Sequence, residues 1–136
     1  MMLSEHDVQQ LRDLVEAYKT QIHDQDEAVF RSLWAQDQEC SLISIAKEFR
    51  GVDAIWSDFL MGRIHALYSA ITLVTESLDI RPVNDDAAVV IFAYHTVCTR
   101  REDGALHGIH GLETQVMVRE AAGWKLVHVH YSKAGD

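Results

Sequence analysis

A carboxylate, an amide and two phenols fall on one face of the strand-like segments near the C-terminus. Glu113 and Gln115 alternate along one segment, and Tyr94 and Tyr131 lie in the two neighbouring segments. Loss of solvent would raise the pKa of a carboxylate on an apolar wall, whereas hydrogen bonds would lower it. Glu113 could then act as a general base, orient a ligand, or be tied into the core by the tyrosines.

The residues on this face predict a pocket, because Gly111 lies diagonal to Tyr94 and leaves room beside it. Trp34 has the spacing of a helical core residue, and it is interpreted as packing or as a lid over the pocket. The residues predicted to line the pocket, besides Glu113, are Phe92, Tyr94, Thr96, Gln115, Met117, Tyr131 and Trp34.

The histidines raise the question of a metal site, since His128 and His130 are two apart on one strand face. His95 and His110 share that face. Zinc needs its ligand atoms about 2.0–2.1 Å from one point, and the expected register places Leu112 between His95 and His130. We therefore predict no metal and no cofactor, and interpret these histidines as dimer-facing or core residues.

The composition limits the classes of partner. The chain has 136 residues, predicted to be one domain over 1–136, with 21 acidic and 12 basic residues and a net charge of −9. Nucleic acids and anionic membranes need a basic surface, so neither is predicted as a partner. Cys40 and Cys98 form no disulfide framework, which favours a reducing, cytoplasmic location.

The order of the elements predicts an α+β domain whose helices cover one face of a sheet. Ser4 is a candidate N-cap, and Asp24 or Asp26 can start a second helix. The expected helices are Glu5 to about Ile22, a second one carrying Val29, Phe30, Leu33 and Trp34, and Val52 to about Leu67; the expected strands are two short ones within Cys40–Gly51, then Ile71–Val83, Ala87–Arg100, Leu106–Glu120 and Trp124–Ser132.

Turn signals predict the register of the last three strands. A two-residue turn at Asp103-Gly104 would set Tyr94 opposite Glu113. A three-residue loop over 120–122 would set Glu113 opposite Val129. The outward face would then carry Val116, Leu112, Leu126, His128 and His130, with an apolar row too large to leave in water. This predicts a homodimer through the outer sheet face.

The C-terminal pattern resembles that of the nuclear transport factor 2-like superfamily, which includes the SnoaL-like proteins. The likeness is nearest to the association domain of calcium/calmodulin-dependent protein kinase. The matching residues are Gly123, Trp124, Val127, His128, His130 and Ser132, with Asp86-Ala87-Ala88 and Glu113-Thr114 before the long strands. The resemblance implies a cystatin-like cone, in which a strongly curved mixed or antiparallel sheet wraps a pocket closed by three helices.

Two departures from these relatives bear on function. The kinase domain has arginines where this chain has Tyr94, Gln115 and Tyr131, so an anionic ligand held by arginine is not supported. The ketosteroid isomerase branch keeps a carboxylate base near the end of its first strand, where residues 42–45 read Leu-Ile-Ser-Ile. Tyr18 occupies the place of that branch's oxyanion donor.

Three functions remain open. The first is a homodimeric SnoaL-like protein that binds a small apolar or weakly polar ligand. The second is an acid–base enzyme of the isomerase, cyclase or hydratase type, with Glu113 as the base and Tyr18 or Tyr94 as the oxyanion donor. The third is an oligomerisation module like the kinase association domain. Binding is preferred, because the first-strand carboxylate is missing and no second domain accompanies this one in 136 residues.

Overall fold

The computed structural model describes residues 3–45 and 47–134, so the predicted domain limits Met1 and Asp136 lie outside the described residues. Three helical segments precede or interrupt a seven-stranded sheet. The elements are α1 (Glu5–Asp24), α2 (Glu27–Ser32), β1 (Ser41–Ser44), β2 (Lys47–Arg50), α3 (residues 52–67), β3 (Tyr68–Asn84), β4 (Ala87–Arg100), β5 (Leu106–His107), β6 (His110–Glu120) and β7 (Gly123–Lys133).

Helix α1 begins where the sequence predicts, at a reciprocal cap. Ser4 Oγ accepts a 3.0 Å bond from the Asp7 backbone N–H, and Asp7 Oδ2 accepts one of 3.3 Å from the Ser4 N–H. The helix ends at Asp24, where Gln25 adopts a left-handed conformation with φ 58°. Its buried face carries Leu11, Leu14, Val15, Tyr18 and Ile22, which confirms the predicted amphipathic pattern.

Helix α2 is shorter than the sequence predicts, and most of α3 has the wider turns of a π-helix. Asp26 caps α2, which ends at Ser32, so Leu33 and Trp34 lie beyond it. Within α3, the segment Ile55–Ile64 is π-helical, as in the bond from the His65 N–H to the Leu60 carbonyl. Such i→i+5 turns are rare and often occur near functional sites.

The sheet is mixed and strongly irregular. Six of its strands follow the order β2-β1-β7-β6-β4-β3, and the seventh, β5, pairs with β4. Strands β1 and β7 are parallel, and the other paired strands are antiparallel. Register shifts interrupt the β3–β4 pairing at three points and the β6–β7 pairing at one. Since bulges bend a strand and increase its twist, they favour a curled sheet whose inner face packs on the helices.

The hairpin between β4 and β5, which sets the register of β6, has a longer loop than the sequence predicts. Arg100 N–H bonds the Ala105 carbonyl, so residues 101–104 form the loop, rather than Asp103-Gly104 alone. Tyr94 consequently lies opposite Gly111, and Phe92 lies opposite Glu113. The predicted pairing of Tyr94 with Glu113 is wrong by two residues, and an even shift leaves every side chain on its predicted face.

A bulge in β7 overturns the predicted orientation of Leu126. Met117 pairs with Leu126 but Val116 pairs with His128, so Val127 is the extra residue. On the hairpin side of the bulge, one residue of slip turns Leu126 inward, where it is fully buried. Leu126 is therefore a core residue and takes no part in an outer surface.

Trp124 points inward, like Leu126, and its side chain links the first turn of α1 to the end of the sheet by a hydrogen bond. Its indole N–H donates a 3.2 Å bond to Asp7 Oδ1, which also accepts a 2.7 Å bond from Arg119. The Arg119 guanidinium holds the pKa of Asp7 well below its usual range. The same guanidinium lies 4.7 Å from the Trp124 ring centroid, so the three side chains form one cluster.

Candidate functional site

A cavity of about 200 Å³ lies between the inner face of the sheet and the helices. Most of its wall is aliphatic or aromatic, and the hydroxyl and carboxyl groups come from only a few side chains. The lining residues are Tyr18, Ile22, Leu42, Ser44, Ile45, Phe59, Leu60, Ile64, Leu67, Tyr68, Ile71, Leu73, Tyr94, Thr96, Cys98, Ile109, Glu113 and Tyr131.

The cavity opens beside two exposed apolar side chains of its own wall. Ile45 is 65% exposed and Leu67 is 59% exposed, although both line the cavity. These two residues therefore mark the mouth, which lies between the β1–β2 turn and the end of α3. A mouth with an apolar rim suits entry of an apolar molecule.

Glu113 is the carboxylate of the cavity wall, and only 3% of its surface is exposed. The Tyr94 hydroxyl donates a 2.6 Å bond to Oε2, and the Gln115 amide donates a 3.1 Å bond to Oε1. Burial raises the pKa of Glu113, while bonds from Tyr94, Gln115 and Tyr18 oppose that rise. Burial has the larger effect, so the protonated form is favoured more than in water.

Three phenols surround this carboxyl group. Burial, followed by the proximity of Glu113, raises the pKa of Tyr18 and of Tyr94 far above the ordinary value. The same two causes raise the pKa of Tyr131 to about 12. All three side chains therefore stay protonated across the physiological range, and each carries one O–H donor.

The strand pairing explains how these side chains meet. Glu113 lies opposite Tyr131 on β7 and opposite Phe92 on β4, while Tyr94 lies one inward position farther along β4. Tyr94 packs between its neighbours, with ring centroids 4.7 Å from Phe92 and 6.4 Å from Tyr131. Tyr18 reaches the same group from the buried face of α1.

Five of the residues predicted for the site line the cavity together, and four lie elsewhere. Glu113, Tyr18, Tyr94, Thr96 and Tyr131 are all on its wall. The other four belong to the packed core and have no exposed surface; they are Phe92, Gln115, Met117 and Trp34.

Trp34 does not lie on a helix, contrary to the prediction from the sequence, because α2 ends at Ser32. The residue instead forms a parallel bridge with Leu126, and its ring lies 5.9 Å from that of Phe30. It is neither a lid nor part of the cavity wall. Gln115 keeps an indirect role, since its amide holds Glu113 Oε1.

Sequence reasoning missed the apolar part of the wall. Ile71 and Leu73 alternate on β3 and were recognisable as inward residues, whereas Ser44 and Ile109 needed the tertiary structure. In the described part of β1, Ser44 lines the cavity near the place where the isomerase branch carries its carboxylate. That region contributes a hydroxyl instead of a base.

The four histidines considered as metal ligands, His95, His110, His128 and His130, lie on the outer side of the sheet. Glu76 Oε1 is 3.1 Å from His110 Nδ1, and Oε2 is 3.5 Å from His95 Nδ1. His128 Nδ1 lies 2.7 Å from the Ser41 hydroxyl. Within residues 3–45 and 47–134, no three His, Cys, Asp or Glu side chains are arranged to hold a metal ion.

The two cysteines are not activated as nucleophiles. Cys40 and Cys98 are buried free thiols, and burial raises the pKa of both.

Among the described residues, no helix combines the length and apolar character needed to cross a membrane.

Several solved structures are similar to this chain over most of its length. A nuclear transport factor 2-like superfamily protein from Salmonella enterica is 28% identical, with a TM-score of 0.87 over 94% of this chain and 91% of that one. A type 2 hexachlorocyclohexane dehydrochlorinase is 16% identical, with a TM-score of 0.84 over 97% and 90%. No curated protein matches the chain significantly.

An uncharacterised protein with a cystatin-like fold, from Caulobacter vibrioides, is also similar. It is 16% identical, with a TM-score of 0.79 over 96% of this chain and 91% of that one. At such identity, this protein and the dehydrochlorinase show the fold alone, and they confirm the predicted α+β cystatin-like cone. The SnoaL-like domain matches residues 11–135, and the chain therefore belongs to the SnoaL-like family.

Proposed function

We propose that this protein binds a small, mainly apolar molecule in the cavity, with the polar group of that molecule beside Glu113. The observation that carries the proposal is an enclosed apolar wall with one buried carboxyl group at a cluster of phenols. A volume of about 200 Å³ suits a ligand with one or two small rings.

The charge of the wall supports this choice of ligand. No lysine, arginine or histidine occurs among the described residues that line the cavity, so a carboxylate or phosphate would be buried without a partner. Apolar area drives binding in such a site, and the few polar groups set the orientation.

A thermal-shift screen of neutral and weakly polar ring compounds tests the proposal. A compound present at 100 times its dissociation constant adds about 2.7 kcal/mol to the free energy of unfolding. Leu67→Trp should abolish the shift, because the larger side chain would stand at the mouth of the cavity. Leu106→Trp is the matched control, since Leu106 is 80% exposed and does not line the cavity.

An acid–base enzyme is the second candidate. Burial raises the pKa of Glu113, which suits a general base or acid, and Tyr18 or Tyr94 could donate to an oxyanion. A structural neighbour described as a dehydrochlorinase shows that this fold hosts eliminations elsewhere. Binding remains preferred, because the Tyr94 hydroxyl proton is already donated to Glu113.

Mass spectrometry of each screening hit after incubation separates the two candidates. A compound that is transformed by the wild type and left intact by Glu113→Gln would replace binding with catalysis. A compound that binds both proteins and is recovered unchanged supports binding. Glu102→Gln, at an exposed hairpin tip, is the control for loss of a negative charge.

We further propose that two copies associate through the outer sheet face. Val74, Val97 and Leu112 are exposed there, and Ile91 and Val116 extend the apolar row. An apolar sheet face of this kind is typical of a protein interface. This interface differs from the one predicted from the sequence, because Leu126 is buried in the core and cannot contribute to it. His128 and His130, which were also predicted there, lie on the outer side of the sheet.

Sedimentation equilibrium tests this association. The wild type should sediment at twice the chain mass, and Leu112→Glu should shift it toward the monomer by placing charge in the interface. Val29→Glu, on the exposed surface of α2 and therefore on the helix side of the sheet, should leave the mass unchanged. A wild type that is monomeric at micromolar concentration contradicts the proposal.

A further inference from the structure

Two hydrogen atoms at the polar end of the cavity are already donated to Glu113. Tyr94 donates its hydroxyl proton at 2.6 Å and Gln115 donates an amide proton at 3.1 Å. A phenol has one proton, so a phenol that donates to Glu113 can only accept from a ligand. Tyr94 therefore offers a lone pair to a molecule that enters the cavity.

The rest of the wall supplies no charged donor. The remaining hydroxyls belong to Ser44, Thr96, Tyr68 and Tyr131, which are uncharged and can each donate or accept a hydrogen bond. Thr96 Oγ1 already accepts a 3.0 Å bond from the Ile109 N–H. The cavity thus combines a carboxylate, several acceptors and an apolar body.

The charge of the whole chain favours the same class of ligand. The net charge of −9 adds a general attraction for cations.

We propose that the ligand is a small organic amine, bound in its protonated form with the ammonium group beside Glu113. This inference rests on the proposed function, because it names the chemical class of the molecule that the cavity binds. An alcohol of the same shape could donate one hydrogen bond. It would leave the charge of the buried carboxylate uncompensated, whereas an ammonium group removes that cost.

Isothermal titration with four compounds of one shape tests the inference. Benzylamine, benzyl alcohol, toluene and benzoate carry an ammonium, a hydroxyl, no polar group and a carboxylate on the same ring. Near neutral pH, benzylamine should bind about tenfold or more tightly than benzyl alcohol, and benzoate should not bind.

Two variants locate the effect. Glu113→Gln should weaken benzylamine about tenfold or more while changing benzyl alcohol by less than about threefold. Glu102→Gln, which removes an exposed negative charge, should change neither compound. Leu67→Trp should abolish binding of both, because it stands at the mouth.

The outcomes separate the two proposals. Equal or tighter binding of benzyl alcohol, abolished by Leu67→Trp, would keep the binding function and overturn the amine. Benzylamine binding that survives Leu67→Trp would assign it to the acidic surface and also overturn the amine site. Failure of all four compounds to bind the folded wild type would overturn both proposals.

Discussion

The ring of Tyr94 occupies the space that a side chain on Gly111 would need. The two residues lie directly opposite each other on β4 and β6, and a Cβ on Gly111 would overlap the ring and come within 2.7 Å of the phenol oxygen. That oxygen donates to Glu113. The predicted diagonal position implied that Gly111 enlarges the cavity, but the Tyr94 ring fills that space. The absence of a side chain at Gly111 instead lets Tyr94 lie where it can bind the carboxyl group of Glu113.

The first prediction concerns this pair. Gly111→Ala should lower the free energy of unfolding by about 1–3 kcal/mol, because the ring must move and its bond to Glu113 is strained. Urea unfolding measures the loss. Thr114→Ala on the exposed face of the same strand should have a much smaller effect.

A double-mutant cycle with Tyr94→Leu identifies the cause. If the ring is the obstacle, Gly111→Ala costs less in the Tyr94→Leu background than in the wild type. Equal costs in the two backgrounds would assign the effect to the strand itself and not to the contact.

The second prediction follows from the buried carboxyl group. The pKa of Glu113 is raised in the folded protein, so the folded state binds more protons than the unfolded state above the ordinary pKa of 4.5. Wild-type stability relative to Glu113→Gln should therefore fall as pH rises above about 4.5, by at most about 1.4 kcal/mol per pH unit. Chemical denaturation across that range measures the difference.

Tyr18, Tyr94 and Tyr131 do not contribute to this slope below about pH 9, because burial raises their pKa values as well. Glu102→Gln serves as the control, and its difference from the wild type should not vary in the same way. A difference for Glu113→Gln that is flat with pH, or that rises, would contradict a carboxyl pKa raised by burial.

The third prediction tests the bulge in β7. Leu126→Ala should cost about 2–5 kcal/mol, since the side chain has no exposed surface and its loss leaves a cavity in the core. Leu106→Ala makes the same change at a side chain that is 80% exposed and should cost well under about 1 kcal/mol. Similar small losses for both would restore the outward orientation that simple alternation predicts for Leu126.

The fourth prediction concerns His65, which is 4% exposed at the end of α3. Neither ring nitrogen has a hydrogen-bond partner among the described residues, although the backbone carbonyl accepts a 2.6 Å bond from Arg101. Burial, together with the Arg101 charge, lowers the histidine pKa below its ordinary 6.5. The unfolded state therefore binds the proton more readily.

Wild-type stability should consequently fall as pH drops below about 6.5, by at most about 1.4 kcal/mol per pH unit from this residue. His65→Leu should remove that part of the loss, whereas His6→Gln, on the exposed start of α1, should retain it. Urea unfolding near pH 7.5 and pH 5.5 gives the comparison. An equal loss in the wild type and in His65→Leu would show that the proton binds elsewhere.

The sequence by itself determined the elements and most of the faces. Strand β4 begins at Ala87 and ends at Arg100 as predicted, because the segment is rich in β-branched and aromatic residues and turn residues bound it. Side-chain alternation also predicts that Tyr94, Glu113 and Tyr131 share the inner face. The predicted pairing of β4 with β6 is wrong by two residues, and a shift of two residues leaves each side chain on the same face. The Ser4 cap was recognisable because its hydrogen bonds are local.

Only the tertiary structure decided what depends on irregular backbone or on distant partners. A single extra residue at Val127 inverts Leu126, and no residue type at that position announces a bulge. The end of α2 at Ser32 sends Trp34 into the core beside β7. The cavity itself forms where α1, α3 and five strands converge, and such non-local packing leaves no periodic signal in the chain.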